Sequence, residues 1–122
     1  MAVLLFVYGT LKRGHPNHGQ LRRSSLVGSA ITEPRYTLLD MGPWPGLAEG
    51  GNTAVFGEVY QVRPSMLPLL DAFEGVPHLF VRDRVSLQPA GPTNAPNLAY
   101  AYFLASSPVS TGKIIPSGRW PP

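Results

Sequence analysis

Residues 2–8 (Ala2, Val3, Leu4, Leu5, Phe6, Val7, Tyr8) contain no charged side chain and are rich in β-branched and aromatic residues. An apolar run of this length, stopped by Gly9, predicts a strand buried on both faces and therefore central in a sheet. The segment from Gly9 to Gly14 is bracketed by glycines, and His15-Pro16-Asn17-His18-Gly19 prolongs the loop, with a short helical turn expected at residues 20–23. Residues 25–32 and 36–41 predict two further strands parted at Pro34. Residues 42–46, Gly-Pro-Trp-Pro-Gly, predict a loop. Between 53 and 62 the pattern alternates, with Val55, Gly57, Val59 and Gln61 on one face and Phe56, Glu58, Tyr60 and Val62 on the other, which predicts a strand.

The period then changes. Met66, Leu67, Leu69, Leu70 and Phe73 recur at helical spacing, Ser65 offers an N-cap and Gly75 a residue for the left-handed position beyond the helix end. Pro68 falls in the first turn, where its missing N–H has no helical acceptor to lose. Alternation returns over 79–87, a last apolar strand is expected at 99–104, and 89–97 is a connection of Pro, Gly and Asn. From about residue 106 the chain is a proline-rich tail. The expectation is one α+β domain over residues 1–122, with a mixed sheet or small β-barrel flanked by short helices.

Composition narrows the classes of function. The 122 residues are 43% hydrophobic and 14% charged, enough for one buried core and unlike a disordered chain. With no cysteine, a disulfide framework, a thiol nucleophile, an iron–sulfur cluster and thiolate zinc sites are excluded. The opening apolar run lacks a basic leader and a small-residue cleavage site, and no run reaches the ~20 residues of a membrane-spanning helix. The expectation is a soluble, cytoplasmic protein. A net charge of +3 favours anionic ligands only mildly.

Two places carry candidate chemistry. At Tyr8-Gly9-Thr10-Leu11 the glycine allows a sharp turn in which successive N–H groups converge on an anion, although an ordinary strand-to-loop turn has the same sequence. It is not a phosphate loop, because Gly14 is followed by His15 rather than by Lys-Ser/Thr. Glu74 falls at the last turn of the helix, where the negative end of the dipole raises a carboxyl pKa toward the range of a general base. A solvated acid at a helix end is the competing reading. His15 and His18 are three apart, as a metal pair on a helix would be, but Pro16 and Gly19 argue against a helix there and no His-Glu-x-x-His motif exists; His78 lies elsewhere. No Gly-x-Ser-x-Gly motif is present, and Lys12, Arg13, Arg22 and Arg23 form a basic cluster without a nucleic-acid motif.

The run Val7-Tyr8-Gly9-Thr10-Leu11-Lys12-Arg13-Gly14, followed by Pro16-Asn17-His18, resembles the opening signature of the γ-glutamylcyclotransferase-like superfamily, most closely its γ-glutamylamine (AIG2-like) branch. Gly57-Glu58-Val59-Tyr60 and Leu70-Asp71-Ala72-Phe73-Glu74-Gly75 resemble the later landmarks of that family, in order. The resemblance implies a small mixed β-barrel with a cavity between the first loop and the acid, and conversion of a γ-glutamyl compound to 5-oxoproline and a free amine. It implies Glu74 as catalytic acid/base, Tyr8, Gly9, Thr10 and Leu11 as the substrate-binding loop, no metal and no cofactor. The partner implied is a small γ-glutamyl substrate, with neither nucleic acid nor membrane. Tyr100, Tyr102, Trp44 and Trp120 are further residues that either reach the cavity or pack in the core. A non-catalytic module holding a small carboxylate or a protein on the same fold is the alternative.

Overall fold

Val3–Val7 form β1, the middle strand of a five-stranded sheet in a computed structural model that describes residues 2–89, 97–105 and 112–122. After β1 come a 3₁₀ turn (His18–Leu21), β2 (Ser25–Ile31), β3 (Tyr36–Asp40), β4 (Pro45–Glu49) and β5 (Phe56–Val62). A second 3₁₀ turn (Pro64–Met66) leads into α1 (Leu67–Phe73), then β6 (Phe80–Ser86), β7 (Leu98–Leu104) and β8 (Lys113–Ile114). The larger sheet runs β2-β5-β1-β7-β6, and the smaller β4-β3-β8. β1 is antiparallel to β5, with Phe6 opposite Val59, and parallel to β7, so the sheet is mixed.

The unbroken apolar run of β1 reflects two cores. Phe6 and Tyr8 point to one with Leu38, Leu47 and Phe103, between the two sheets. Leu5 and Val7 point to the other with Leu11, Leu21, Leu67 and Leu70, beneath the first loop and α1. Gly57 on β5 lets β1 approach closely, since a Cβ there would meet the Phe6 ring at 2.8 Å.

The larger sheet curls until its two edges meet at one end. Thr32 bridges Leu87, flanked by bonds from Glu33 N–H to Ser86 O (3.0 Å) and Gln88 N–H to Ile31 O (2.8 Å). Pairing goes no further along β2 and β6, and the smaller sheet covers the interior. The α+β class and mixed sheet are therefore as expected, but the strands do not close into a barrel.

Other boundaries differ for physical reasons. Residues 42–46, expected as a loop, contribute Pro45 and Gly46 to β4. As the first residue of an edge strand, Pro45 needs no ladder N–H, and Gly46 fits where a Cβ would come within 2.6 Å of Leu104 Cγ. The turn before it is closed by Met41 N–H on Trp44 O (3.0 Å) and Gly42 N–H on Asp40 Oδ1 (2.9 Å). Ser65 does not cap α1; it lies inside the preceding 3₁₀ turn, and the helix starts at Leu67 with no side-chain cap. The helical turn expected at 20–23 begins earlier, at His18, and the strand expected from 53 begins at Phe56. Most of the 89–97 connection, and residues 106–111 of the tail, lie outside the described residues. The remainder of the tail supplies β8, which pairs Ile114 with Leu39 on β3. Among the described residues no helix is long and apolar enough to cross a membrane.

Candidate active site

α1 has seven residues, too few to be stable alone, and two side chains from distant strands hold it through Asp71. Asp71 accepts from Arg82 Nε (2.8 Å) and Nη2 (3.1 Å) of β6, and from the Tyr102 hydroxyl (2.7 Å) of β7. Hydrogen bonding to Arg82, opposed by partial burial, holds the Asp71 carboxyl below its usual range. Asp71→Ala would leave the Arg82 guanidinium and the Tyr102 hydroxyl without this partner. The expected loss, read by urea unfolding, is about 1–3 kcal/mol, since the pair is only partly exposed.

The helix ends in a Schellman motif, as its sequence predicts. Gly75 takes φ +70°, its N–H bonds Ala72 O (3.1 Å), and Val76 N–H bonds Asp71 O (3.0 Å). The reversal leaves Glu74 at the helix cap, half-buried on the wall of a cavity of about 200 Å³. Tyr8, Gly9, Thr10 and Leu11 line the same cavity, and the remainder is mainly apolar: Phe6, Val7, Trp44, Pro45, Phe73, Leu79, Phe80 and Tyr102, with Asn17. In these surroundings the Glu74 carboxyl is pushed up to about 7, and the cause is burial. Burial thus acts at the position where the sequence pointed to the helix dipole.

The loop that lines the cavity with Glu74 is built from several anchors. The Tyr8 hydroxyl is buried, donates to Tyr102 O (2.6 Å) and accepts from Leu47 N–H (3.1 Å), so the ring ties β1 to β7 and β4 and walls the cavity. Burial, then the Glu74 charge, pushes this phenol far above its ordinary range, and it remains protonated. Lys12 N–H closes a turn on Gly9 O (3.1 Å), and Asn17 braces Thr10 through Nδ2 to Oγ1 (2.9 Å) and N–H to O (2.9 Å). Leu11 is buried beneath, and its carbonyl meets His18 Nδ1 at 2.9 Å. Glu58 of β5 accepts from Arg13 N–H (3.0 Å) and from the Tyr60 hydroxyl (2.9 Å), while Lys12 Nζ donates to Trp120 O. Among the described residues no protein acceptor takes the N–H groups of Gly9, Thr10 or Leu11.

All five residues singled out from the sequence thus line one cavity. Tyr102 reaches it with its ring, its hydroxyl being engaged by Asp71, and Trp44 reaches it while packing edge-on against Phe80 at 5.5 Å. Tyr100 and Trp120 do not line it: Tyr100 lies under the Arg82 guanidinium, and Trp120 packs in the core and against His15. Asp71, Asn17, Pro45, Leu79 and Phe80 belong to the site or its supports without having been singled out individually. Asn17 and Asp71 stood inside the quoted landmarks, but only tertiary contacts separate them from their neighbours.

Residues 5–122 match the protein family described as "Gamma-glutamyl cyclotransferase, AIG2-like". A Vibrio cholerae protein is 47% identical over 85 residues, 70% of this chain and 73% of its own length. Human gamma-glutamylaminecyclotransferase is 43% identical over 95 residues, and the match covers 70% of this chain but 61% of the human protein. The crystal structure of an AIG2-like protein from Mus musculus superposes with a TM-score of 0.74 at 30% identity, covering 88% of this chain and 81% of that one. The match over nearly the whole sequence, with the fold to accompany it, establishes that the chain belongs to the AIG2-like gamma-glutamyl cyclotransferase family of enzymes.

Proposed function

We propose that this chain converts a γ-glutamyl compound to 5-oxoproline and a free amine by intramolecular aminolysis, with Glu74 moving the protons and the Gly9–Leu11 amides holding the substrate. Family membership supports the coarse activity, cyclotransfer on a γ-glutamyl compound. The observation that carries the assignment of residues is a half-buried carboxyl, raised to about 7, that lines one cavity of about 200 Å³ together with a loop whose amides have no protein acceptor among the described residues.

Each step falls to a group of the right kind. Peptide N–H groups without an intramolecular partner are strong donors to a carboxylate, so the substrate α-carboxylate is placed on the Gly9–Leu11 turn. Anchored there, the five-atom chain can fold so that its α-nitrogen meets its own γ-carbonyl, and a five-membered ring closes with effective molarity in the range of about 10⁵–10⁸ M. The α-nitrogen enters as an ammonium. Glu74 takes one proton from it, the nitrogen lone pair attacks the carbonyl carbon, and Glu74 hands that proton to the leaving nitrogen as its C–N bond breaks. The second proton of the ring nitrogen passes to the released amine, leaving a neutral lactam and an ammonium product. Atoms and charge balance without a redox step, so no electron-carrying cofactor enters.

The direct test is 5-oxoproline release from a panel of γ-glutamyl amines and γ-glutamyl amino acids. Absence of product from every member would end the proposal. The pH profile is a second expected result. A base must be ionised to accept the proton, so kcat/KM should fall on the acid side with an apparent pKa near 7. A rate unchanged between pH 8 and pH 5 would remove Glu74 from the base role.

A further inference from the structure

We propose that the departing amine occupies an apolar subsite formed by Phe73, Leu79, Phe80 and Trp44, and that the enzyme prefers γ-glutamyl amides whose leaving amine ends in hydrocarbon rather than in a carboxylate. The inference rests on the reading of Glu74 and the Gly9–Leu11 loop given above.

The position follows from that reading. With the α-carboxylate on the loop and the γ-carbonyl at Glu74, whatever is attached beyond the carbonyl extends past Glu74, along its own chain neighbours. Phe73 precedes Glu74, and the turn after it folds Leu79 back, with His78 and Leu79 N–H both on Gly75 O at 2.8 Å. The returned leucine lies over Gly75, where an added Cβ would meet Leu79 Cδ1 at 3.0 Å. Phe73 is 42% exposed and Leu79 62%, two large apolar side chains left in the open on either side of the acid. Phe80 and Trp44, packed edge-on, continue the same surface inward.

Charge points the same way. No Lys, Arg or His lines the cavity among the described residues, and residues 90–96 and 106–111 contain no charged side chain. The neighbouring cations are already engaged: Arg82 by Asp71, Arg13 by Glu58, and Lys12 by the Trp120 carbonyl. The one ionisable carboxyl on the wall is Glu74. A carboxylate on the leaving group would thus be desolvated against apolar rings, without a counter-ion and near a like charge, whereas a hydrocarbon chain gains by leaving water.

Three substrates of matched chain length separate the outcomes: the γ-glutamyl amides of n-butylamine, 4-aminobutyrate and 1,3-diaminopropane, whose fourth chain atom is a methyl, a carboxylate carbon or an ammonium. Their reacting amide nitrogens carry the same alkyl beginnings. The butylamide is expected to show kcat/KM about tenfold or more above the others, within the range a hydrophobic subsite discriminates. Leu79→Lys, at an exposed position that the core does not need, should lower the butylamide rate and raise the 4-aminobutyrate rate, shifting their ratio by about tenfold. Equal rates, or preference for a charged chain, with turnover still dependent on Glu74, would overturn the apolar subsite and leave the cyclotransferase reading standing. No 5-oxoproline from any of the three, nor from γ-glutamyl amino acids, would overturn both.

Discussion

Replacing Glu74 by Gln is expected to lower kcat for 5-oxoproline release by about 10²–10⁴-fold while changing KM by less than about threefold. The amide keeps the volume and planarity of the carboxyl but neither accepts the ammonium proton nor returns it to the leaving amine. The same substitution should stabilise the fold at alkaline pH. The folded carboxyl titrates near 7 against an ordinary value of 4.5, so the folded state binds its proton more tightly than the unfolded chain. Stability from this group is complete below about pH 4.5 and is lost as the pH rises through 7. Gln carries no such penalty. Urea unfolding should find Glu74→Gln more stable than the parent at pH 8, by an amount on the order of 2–3 kcal/mol, with the gap closing toward pH 4.5. A variant that is inactive and more stable separates loss of chemistry from loss of fold. Equal stability at both pH values would place the carboxyl in water and remove the reason for its basicity.

What the sequence discloses about this site depends on whether a feature is local. β1 is legible because a strand buried on both faces must be apolar throughout, and Leu5 and Phe6 do face different cores. The end of α1 is legible because a Schellman turn requires a residue tolerant of positive φ, and Gly75 supplies it next to Glu74. β4 is not legible: Pro45 and Gly46 carry the signature of a loop, and only the edge position and the close approach of Leu104 make a strand of them. β8, two residues long, is a strand only because β3 offers it an edge. The support under the acid is hidden for a similar reason. Asp71 is 11 residues from Arg82 and 31 from Tyr102, separations that no periodicity reports. The basicity of Glu74 is also tertiary in origin. Its position at a helix end was visible, but the burial that raises its pKa depends on how distant segments enclose the cavity.

Gly9→Ala tests the loop side of the cavity, and its effect should differ in kind from that of Glu74→Gln. A Cβ at Gly9 would lie 2.6 Å from Pro45 Cγ and 2.8 Å from Cδ, closer than carbon atoms pack. The constraint is space rather than conformation, since Gly9 is not among the glycines with positive φ. Pro45 is fixed in turn as the first residue of β4, opposite Asp40. Relief requires the loop or the strand to move, carrying the Gly9, Thr10 and Leu11 amides away from Glu74. A displacement approaching 1 Å in a positioning group costs up to about 10²-fold, so kcat/KM should fall by about 10–10²-fold. Much of the fall should appear as a raised KM, because the displaced donors hold the substrate in the ground state as well as during ring closure. The double variant Gly9→Ala/Pro45→Ala discriminates the cause. With the pyrrolidine ring gone the added methyl has room, and activity should recover toward that of Pro45→Ala alone, a coupling expected only of residues in contact. If the two losses instead multiply, the methyl acts through something other than Pro45, and the close packing of loop against strand is not what aims these amides at the cavity.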